Sequence, residues 1–239
     1  MIRPWNSKTI IESNDPIVPL PKNFFRKEPH PYMNLGAPYG TGLDPWHLRK
    51  QVLKRLIKAQ DFLVEEYPEF RLSLFDALRP IAVQKFMIEY TINKICLQRG
   101  FSTLDPEYAD QLRDVQIEVA SFWAEPSEDD RTPPPHSTGA AVDLTLADIH
   151  GEPINMGCSI DEIDMRAHPN YYAQLSEEQS SSAKLFNDRR IILFTAMTKA
   201  GFCQHPHEWW HFSFGDQLWA WRNNSNYATY GIVVTDSKL

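Results

Sequence analysis

Three consecutive prolines, Pro133 to Pro135, lie where the pattern of the sequence changes from helical to strand-like. The segment SEDDRTPPP (127–135) can form neither a helix nor a central strand, because each proline fixes φ and lacks a backbone N–H donor. We therefore predict a surface loop. The segment that follows, HSTGAAVDLTL (136–146), combines a glycine turn with a β-prone run. The loop is thus expected to lead directly into a strand.

Two helices with clear start signals are predicted in the first part of the chain. Asp44 is suited to cap a helix whose first position is Pro45, and apolar residues then recur every three or four positions up to about Tyr67. Pro80 opens the second helix. The segment between the two helices, FRLSLFDA (70–77), largely alternates apolar and polar residues and is typical of a strand.

Two further helices and two strands are predicted from the rest of the chain. Asp105 followed by Pro106 signals a third helix start. A fourth helix spans about 177–200 and ends before a glycine. The tail contains two strand-like segments, EWWHFSF (208–214) and YGIVV (230–234).

The order of these elements predicts the fold class. Helices flank non-consecutive strands without a regular βαβ alternation, which indicates the α+β class with a small, mostly antiparallel sheet flanked by helices. Residues 1–43 are rich in Pro, Asn and Gly and show no period, so we expect an extended N-terminal arm that wraps the core. No internal repeat or second core is visible. We predict a single domain over residues 1–239.

Composition argues against several classes of protein. The 24 Lys and Arg against 31 Asp and Glu give a net charge of −7, which disfavours phosphate backbones and anionic lipids. We expect no nucleic-acid partner and no membrane partner. The sequence has no transmembrane-length apolar run and no signal-peptide pattern, so a cytoplasmic location is predicted. Three widely spaced cysteines argue against a disulfide framework or a cysteine zinc site.

Two segments place metal-ligand residue types in strand-like surroundings. His136 and Asp143 are seven residues apart and would face opposite sides of a straight strand, but a bend at Gly139 lets them converge. Glu208 and His211 are three apart, so we expect His211 to point into the site from a strand and Glu208 to lie at the loop end of that strand. The two segments can thus build one site on the sheet.

The residue types in these segments are those of a zinc hydrolase. A catalytic zinc takes two histidines and a carboxylate and leaves a fourth position for water. His136, Asp143 and His211 supply that set for one Zn²⁺ per chain. Zinc lowers the pKa of bound water from about 15.7 to about 7, and Glu208 is placed to accept its proton. Arg79, at a strand-to-helix junction, is the candidate for stabilising the oxyanion formed when an amide is attacked.

Other interpretations of these residues stay open at this point. A single histidine is more often a core or surface residue than a ligand, and Asp143 could equally form a structural ion pair with Arg79. Two histidines and a carboxylate are also the facial triad of non-haem iron oxygenases, although that triad places a histidine and the carboxylate close together on one strand. A protein that keeps zinc for stability and binds a ligand is a further alternative. Such a protein would not need both Glu208 and Arg79.

The motifs themselves resemble those of a known family. The segment PHSTGAAVDLTL (135–146) resembles the SxHxxGxAxD signature of the zinc D,D-peptidases, and EWWH (208–211) resembles their second zinc segment. With FDALRP (75–80) before them, the set is similar to that of the zinc D-alanyl-D-alanine dipeptidases, in the same order.

The resemblance implies a role for each matching residue. It implies three zinc ligands, which are His136, Asp143 and His211. It also implies that Glu208 is the general base and acid and that Arg79 polarises the scissile carbonyl. NMGCSID (155–161) resembles the segment whose acid holds the substrate's ammonium group, so Asp161 inherits that role. Tyr32, in HPYMNL, resembles a tyrosine that contacts the substrate.

One departure from the signature concerns Pro134, which stands where the family has a serine. Proline supplies neither a hydroxyl nor a backbone donor, so we expect zinc binding to survive and the choice of substrate to be affected. The predicted function is a zinc metallopeptidase that hydrolyses small dipeptides of the D-Ala-D-Ala type. The alternative is a zinc D,D-carboxypeptidase or L,D-endopeptidase acting on peptidoglycan peptides. The expected partner is a small dipeptide, and a homo-oligomer is left open.

Overall fold

The computed structural model describes residues 3–40, 44–176, 178 and 181–233. Within these residues the chain forms six α-helices, which are α1 (Pro31–Asn34), α2 (Lys50–Glu66), α3 (Ile81–Gln98), α4 (Ala109–Phe122), α5 (Ala183–Lys199) and α6 (Gln217–Arg222). The same residues form nine strands, which are β1 (Thr9–Ile10), β2 (Ile17–Pro19), β3 (Phe25–Arg26), β4 (His47–Arg49), β5 (Arg71–Asp76), β6 (Ala141–Ala147), β7 (Cys203–Gln204), β8 (His211–Ser213) and β9 (Tyr227–Ala228).

A five-stranded sheet lies at the centre of the fold, in the order β3-β5-β6-β8-β7. β3 runs parallel to β5, and the other three pairings are antiparallel. The sequence predicts a mostly antiparallel sheet, whereas the observed mixed α/β fold has a mixed sheet. The difference arises because β3 comes from the N-terminal arm and enters beside β5 in the same direction, with Phe25 opposite Ser73.

The central strand β6 separates an apolar face of the sheet from a polar one. Successive side chains of a strand point to opposite faces. Val142, Leu144 and Leu146 belong to the main hydrophobic core, together with side chains of α2 and α5. The core residues of these two helices are Val52, Leu56, Ala59, Leu63, Leu193, Ala196 and Met197. Asp143 and Thr145 alternate with the apolar set and are buried as well. The polar face of β6 can therefore carry a site while the other face holds the fold together.

The first predicted helix begins later than expected. α2 starts at Lys50 rather than at Pro45, because residues 47–49 form β4 and pair with β2 of the N-terminal arm. The Asp44 carboxylate caps only a local turn, in which it accepts a hydrogen bond from the Trp46 backbone N–H at 2.8 Å. Tertiary pairing has thus overridden a local start signal. The helix ends at Glu66, next to the predicted end.

The other helices follow their signals more closely. α3 begins directly after Pro80, as predicted. Pro106–Tyr108 forms a 3-10 turn that leads into α4. α5 begins at Ala183 rather than near 177, and residues 177, 179 and 180 of that prediction lie outside the described residues.

The tail contains shorter strands than predicted. Of residues 208–214 only His211–Ser213 is a strand, because the preceding residues turn to bring Glu208 to the end of β8. Residues 230–233 form no strand, and residue 234 of that prediction lies outside the described part of the chain. The strand near this end, Tyr227–Ala228, pairs with β1 instead.

The N-terminal arm is built into the fold at several points. Among residues 3–40, β1 pairs with β9, β2 pairs with β4, and β3 joins the central sheet. Trp5, in the 3-10 turn Pro4–Ser7, is buried in a cluster with Cys203 and Leu218. The arm is therefore not uniformly extended, and its start is anchored near β7 and α6.

Two further features hold for the described residues taken together. None of their helices is both long and apolar enough to cross a bilayer. Cys96, Cys158 and Cys203 are free thiols.

Candidate active site

Three predicted ligands meet on the polar face of the sheet. His136 lies in the 3-10 turn Pro135–Thr138, at the end of the proline loop. Gly139 follows with φ of 69°, and a Cβ at this position would lie 2.7 Å from a side-chain carbon of Ile17. This left-handed glycine supplies the bend that the spacing of His136 and Asp143 requires. Asp143 in β6 stands directly opposite His211 in β8.

The ligand groups of these three side chains form a compact triangle, in which the Asp143 carboxylate as a whole is the third corner. Nε2 of His136 lies 3.1 Å from Nδ1 of His211 and 3.1 Å from Oδ2 of Asp143. Nδ1 of His211 lies 3.1 Å from Oδ1 of Asp143. Ligand atoms at about 2.0–2.1 Å from a tetrahedral zinc would be about 3.3 Å apart. Oδ1 of Asp143 is buried without a hydrogen-bond partner, which is costly unless a cation satisfies it. The donor set therefore fits a zinc ion.

The second nitrogen of each histidine is held by the protein. Nδ1 of His136 donates to the backbone carbonyl of Ala77 at 2.7 Å, which leaves Nε2 with its lone pair. Nε2 of His211 lies 3.2 Å from the Ser213 hydroxyl, which leaves Nδ1 facing the other ligands. Such contacts orient the rings of metal-binding histidines.

Arg79 lies between β5 and α3, in a buried network of opposite charges. Its Nε donates to Oδ2 of Asp76 at 2.7 Å, and its Nη2 lies 3.2 Å from Oδ2 of Asp143. Nη1 donates to the amide oxygen of Gln84 at 3.0 Å. Burial raises the pKa of Asp76, but the Arg79 guanidinium holds it below its usual value. The guanidinium is therefore fixed in orientation beside the three predicted ligands.

Tyr32 and Asp161 form a second part of the site. The Tyr32 hydroxyl donates to Oδ2 of Asp161 at 2.7 Å and accepts from Nη2 of Arg79 at 3.1 Å. Asp161 adopts φ of 64°, an uncommon backbone conformation for a residue with a side chain. Burial, together with the negative charge of Asp143, raises the pKa of Asp161 to about 7. A cationic group placed against Asp161 would favour its ionised form.

Glu208 lies beside the triangle without being part of it. Its Oε2 is 3.7 Å from Nδ1 of His211 and 3.6 Å from Nδ1 of His205. The side chain is only 16% exposed, and burial raises the pKa of its carboxyl. A carboxylate with a raised pKa next to a metal site is suited to proton transfer.

One cavity connects these groups. The predicted site residues that line it are Arg79, His136, Asp143, Asp161, Glu208 and His211. Tyr32 lies behind this surface with 1% exposure and reaches the cavity through Asp161 and Arg79. Pro134, where the signature differs from this sequence, also lines the wall. The structure thus brings all seven predicted residues into one site.

Several residues of the site are missed by the sequence prediction. Asp76 orients Arg79 and is itself contacted by Nε2 of His30 at 3.1 Å and by the Tyr39 hydroxyl at 3.3 Å. Asp76 could have been found, because it lies three residues before Arg79 within FDALRP. Arg3 of the N-terminal arm also lines the cavity, and no local pattern marks it.

Most of the chain is similar to proteins of a known family. Residues 26–230 match a family model described as D-ala-D-ala dipeptidase, and this range includes the seven predicted site residues. The D-alanyl-D-alanine dipeptidase of Synechocystis sp. is 42% identical over 235 residues, which cover 96% of this chain and 94% of that protein. The D-alanyl-D-alanine dipeptidase of Escherichia coli is 27% identical over 165 residues, which cover 69% of this chain and 65% of that protein.

Two solved structures share a looser likeness. VanYB in complex with D-alanine-D-alanine gives a TM-score of 0.46 at 13% identity, over 79% of this chain and 86% of that chain. The LdcB LD-carboxypeptidase gives a TM-score of 0.42 at 14% identity, over 90% of this chain and 75% of that chain.

Proposed function

This chain belongs to the D-ala-D-ala dipeptidase family, and on that premise we propose that it is a zinc-dependent dipeptidase that hydrolyses D-alanyl-D-alanine. One observation carries the proposal. The three ligand atoms of His136, Asp143 and His211 lie within 4.8 Å of one another, and the cavity in which they meet also contains Glu208 and Arg79. A metal held only for stability needs neither of these two groups.

The histidine and aspartate side chains are the groups that would hold the metal. His136, Asp143 and His211 would bind one Zn²⁺ per chain, and Ala77 and Ser213 keep the two rings in place. When bound, this ion would supply a water molecule of lowered pKa as the nucleophile.

Glu208 moves the proton in this reaction. Its carboxylate accepts the proton of the attacking water and passes it to the amide nitrogen of the leaving D-alanine. The raised pKa supports this double role, because the group must act first as a base and then as an acid. Its distance of 3.7 Å from His211 allows it to act beside the ligands.

Arg79 and Asp161 act on two different groups of the substrate, the scissile carbonyl and the free ammonium group. The Arg79 guanidinium faces the cavity next to Asp143 and stabilises the oxyanion that forms on the scissile carbonyl. Asp161, with Tyr32 behind it, accepts the free ammonium group of the dipeptide. The free amino end thus becomes a condition of binding, which favours a dipeptide over a longer chain.

The experiment that tests the function is release of free alanine by the zinc-loaded protein. We expect cleavage of D-alanyl-D-alanine, with L-alanyl-L-alanine largely untouched. A pentapeptide ending in D-Ala-D-Ala is tested as the comparison substrate. Release of D-alanine from the pentapeptide with the dipeptide intact would replace the proposal by a D,D-carboxypeptidase. Failure on all three substrates would refute a peptidase of this specificity.

Replacing Arg79 with lysine is expected to lower kcat for D-alanyl-D-alanine by about 10²–10³. Lysine keeps the charge but loses the planar fork that contacts Asp76 and Asp143. Steady-state kinetics and the thermal midpoint are measured together.

The matched control for this variant is Arg190→Lys. Arg190 is also buried and its guanidinium donates to the backbone carbonyl of Met156, outside the cavity. The control should lose stability and keep kcat. Equal kcat in both variants would leave Arg79 as a structural ion-pair partner only.

A further inference from the structure

Arg3 and Trp5, near the beginning of the N-terminal arm, lie next to the cavity and are held there by packing. Trp5 is 5% exposed and packs at 5.7 Å between ring centroids against Trp221 of the α6 helix. The guanidinium of Arg3 lies over the Trp5 ring at 5.5 Å, and its Nη1 is 3.4 Å from Nε2 of His205. Arg3 lines the same cavity as Glu208. This cationic side chain is therefore held at the wall of the cavity by the packing of its neighbours.

An acidic and a basic side chain lie on opposite sides of the three predicted ligands. On one side, the Tyr32 hydroxyl contacts both Asp161 and Arg79, and Arg79 contacts Asp143. On the other side, Glu208 lies 3.7 Å from His211 and 3.6 Å from His205, and His205 lies 3.4 Å from Arg3. Along this series of contacts the ligands lie between Asp161 and Arg3.

A dipeptide with free ends carries the same pattern of charge. It has an ammonium group at one end and a carboxylate at the other, and it spans at most about 7 Å. With the ammonium group at Asp161, the scissile bond lies at the metal ligands. Glu208 protonates the leaving nitrogen, so the leaving residue lies on the Glu208 side. In that residue the carboxylate is bonded to the same carbon as the leaving nitrogen. It therefore lies close to Glu208.

We propose that Arg3 binds the terminal carboxylate of the substrate and thereby restricts the site to peptides whose second residue is the last. The proposal deepens the proposed function and rests on it. Of the described residues that line the cavity, Arg3 and Arg79 are the arginines, and Arg79 is held by Asp76 and Asp143 at the scissile carbonyl. A guanidinium is suited to this task, because its fork matches the two oxygens of a carboxylate.

The test compares D-alanyl-D-alanine with D-alanyl-D-alaninamide, in which the carboxylate is replaced by a neutral amide. For the wild-type protein we expect kcat/KM to be about tenfold to hundredfold higher for the acid than for the amide, as for a hydrogen bond to a charged group. In Arg3→Met we expect this ratio to fall to about one, with the loss in the KM of the acid. Arg3→Lys should give an intermediate ratio.

The acid-to-amide ratio separates binding from a structural role. A variant that only disturbs the N-terminal arm would lower activity on both substrates by the same factor. Arg222→Met is the matched control, because Arg222 is exposed on α6, outside the cavity, and its loss changes the net charge equally. This control should keep the wild-type ratio.

The outcomes distinguish the two proposals. If the wild-type protein cleaves the dipeptide and Arg3→Met keeps the wild-type ratio, the role of Arg3 is overturned and the proposed function stands. If the wild-type protein cleaves neither substrate, the proposed function fails and the inference about Arg3 fails with it. A ratio that falls in Arg3→Met and not in Arg222→Met supports the proposal.

Discussion

Replacing Glu208 with alanine is expected to lower kcat for D-alanyl-D-alanine by about 10²–10⁴ while the protein keeps its metal. The loss follows because Glu208 lies next to His211 without belonging to the ligand triangle, whereas Asp161 of the same cavity is bonded to the Tyr32 hydroxyl. The metal stays, because the ligand triangle consists of His136, Asp143 and His211, and Glu208 Oε2 lies 3.7 Å from the nearest ligand nitrogen. KM should change little, since the substrate is held by other groups.

The measurement pairs turnover with metal content. kcat is obtained from release of free D-alanine, and bound zinc is counted in the same sample by mass spectrometry. Glu208→Gln keeps the shape of the side chain and should show a similar loss, which separates proton transfer from packing. The control variant is Glu118→Gln, because Glu118 is a carboxylate paired with Arg99 at 2.6 Å and lies outside the cavity. Near wild-type turnover in Glu208→Ala would remove Glu208 from the mechanism, and loss of zinc would assign it to metal binding instead.

Removal of the metal is expected to reduce hydrolysis to the uncatalysed background and to lower the thermal midpoint. Activity fails because water without a metal has a pKa of about 15.7 rather than about 7, so the nucleophile is lost. Stability falls because Oδ1 of Asp143 is buried without a hydrogen-bond partner and the two histidine nitrogens face each other at 3.1 Å. A metal that binds only the folded state adds its binding free energy to folding.

The experiment treats the protein with a chelator, removes the chelator and adds zinc back. Both turnover and the thermal midpoint should return. His211→Ala is the matching variant and should bind zinc too weakly to be restored. His207→Ala is its control, because His207 lies in the same segment, is exposed and is outside the ligand triangle. Full activity in the chelated protein, or in His211→Ala, would contradict a metal-dependent reaction at this site.

The local parts of this structure are predictable from the sequence. α3 begins after Pro80 because proline fits the start of a helix, and β6 follows the glycine turn because that run is β-prone. The bend at Gly139 is also a local matter, since the left-handed φ of 69° is favourable for glycine. These features depend on residues within a few positions of each other.

Features that depend on distant partners are not predictable in the same way. Residues 47–49 carry a helix-start signal just before them, and they form β4 because β2 of the arm pairs with them. β3 makes the sheet mixed for the same reason, since its direction is decided by where the arm runs. Pairing between segments competes with local propensity and here outweighs it.

The site shows the same division between local sequence and tertiary structure. The residue types for a metal and its proton acceptor can be identified in the sequence, because His136, Asp143, Glu208 and His211 lie in two short segments. The positions of the charged groups around them depend on the fold. Tyr32 and Asp161 meet across 129 residues of chain, and Arg3 reaches His205 across 202. Charges act through space rather than along the chain, so the folded arrangement is needed to show that Asp161 and Arg3 lie on opposite sides of the predicted ligands.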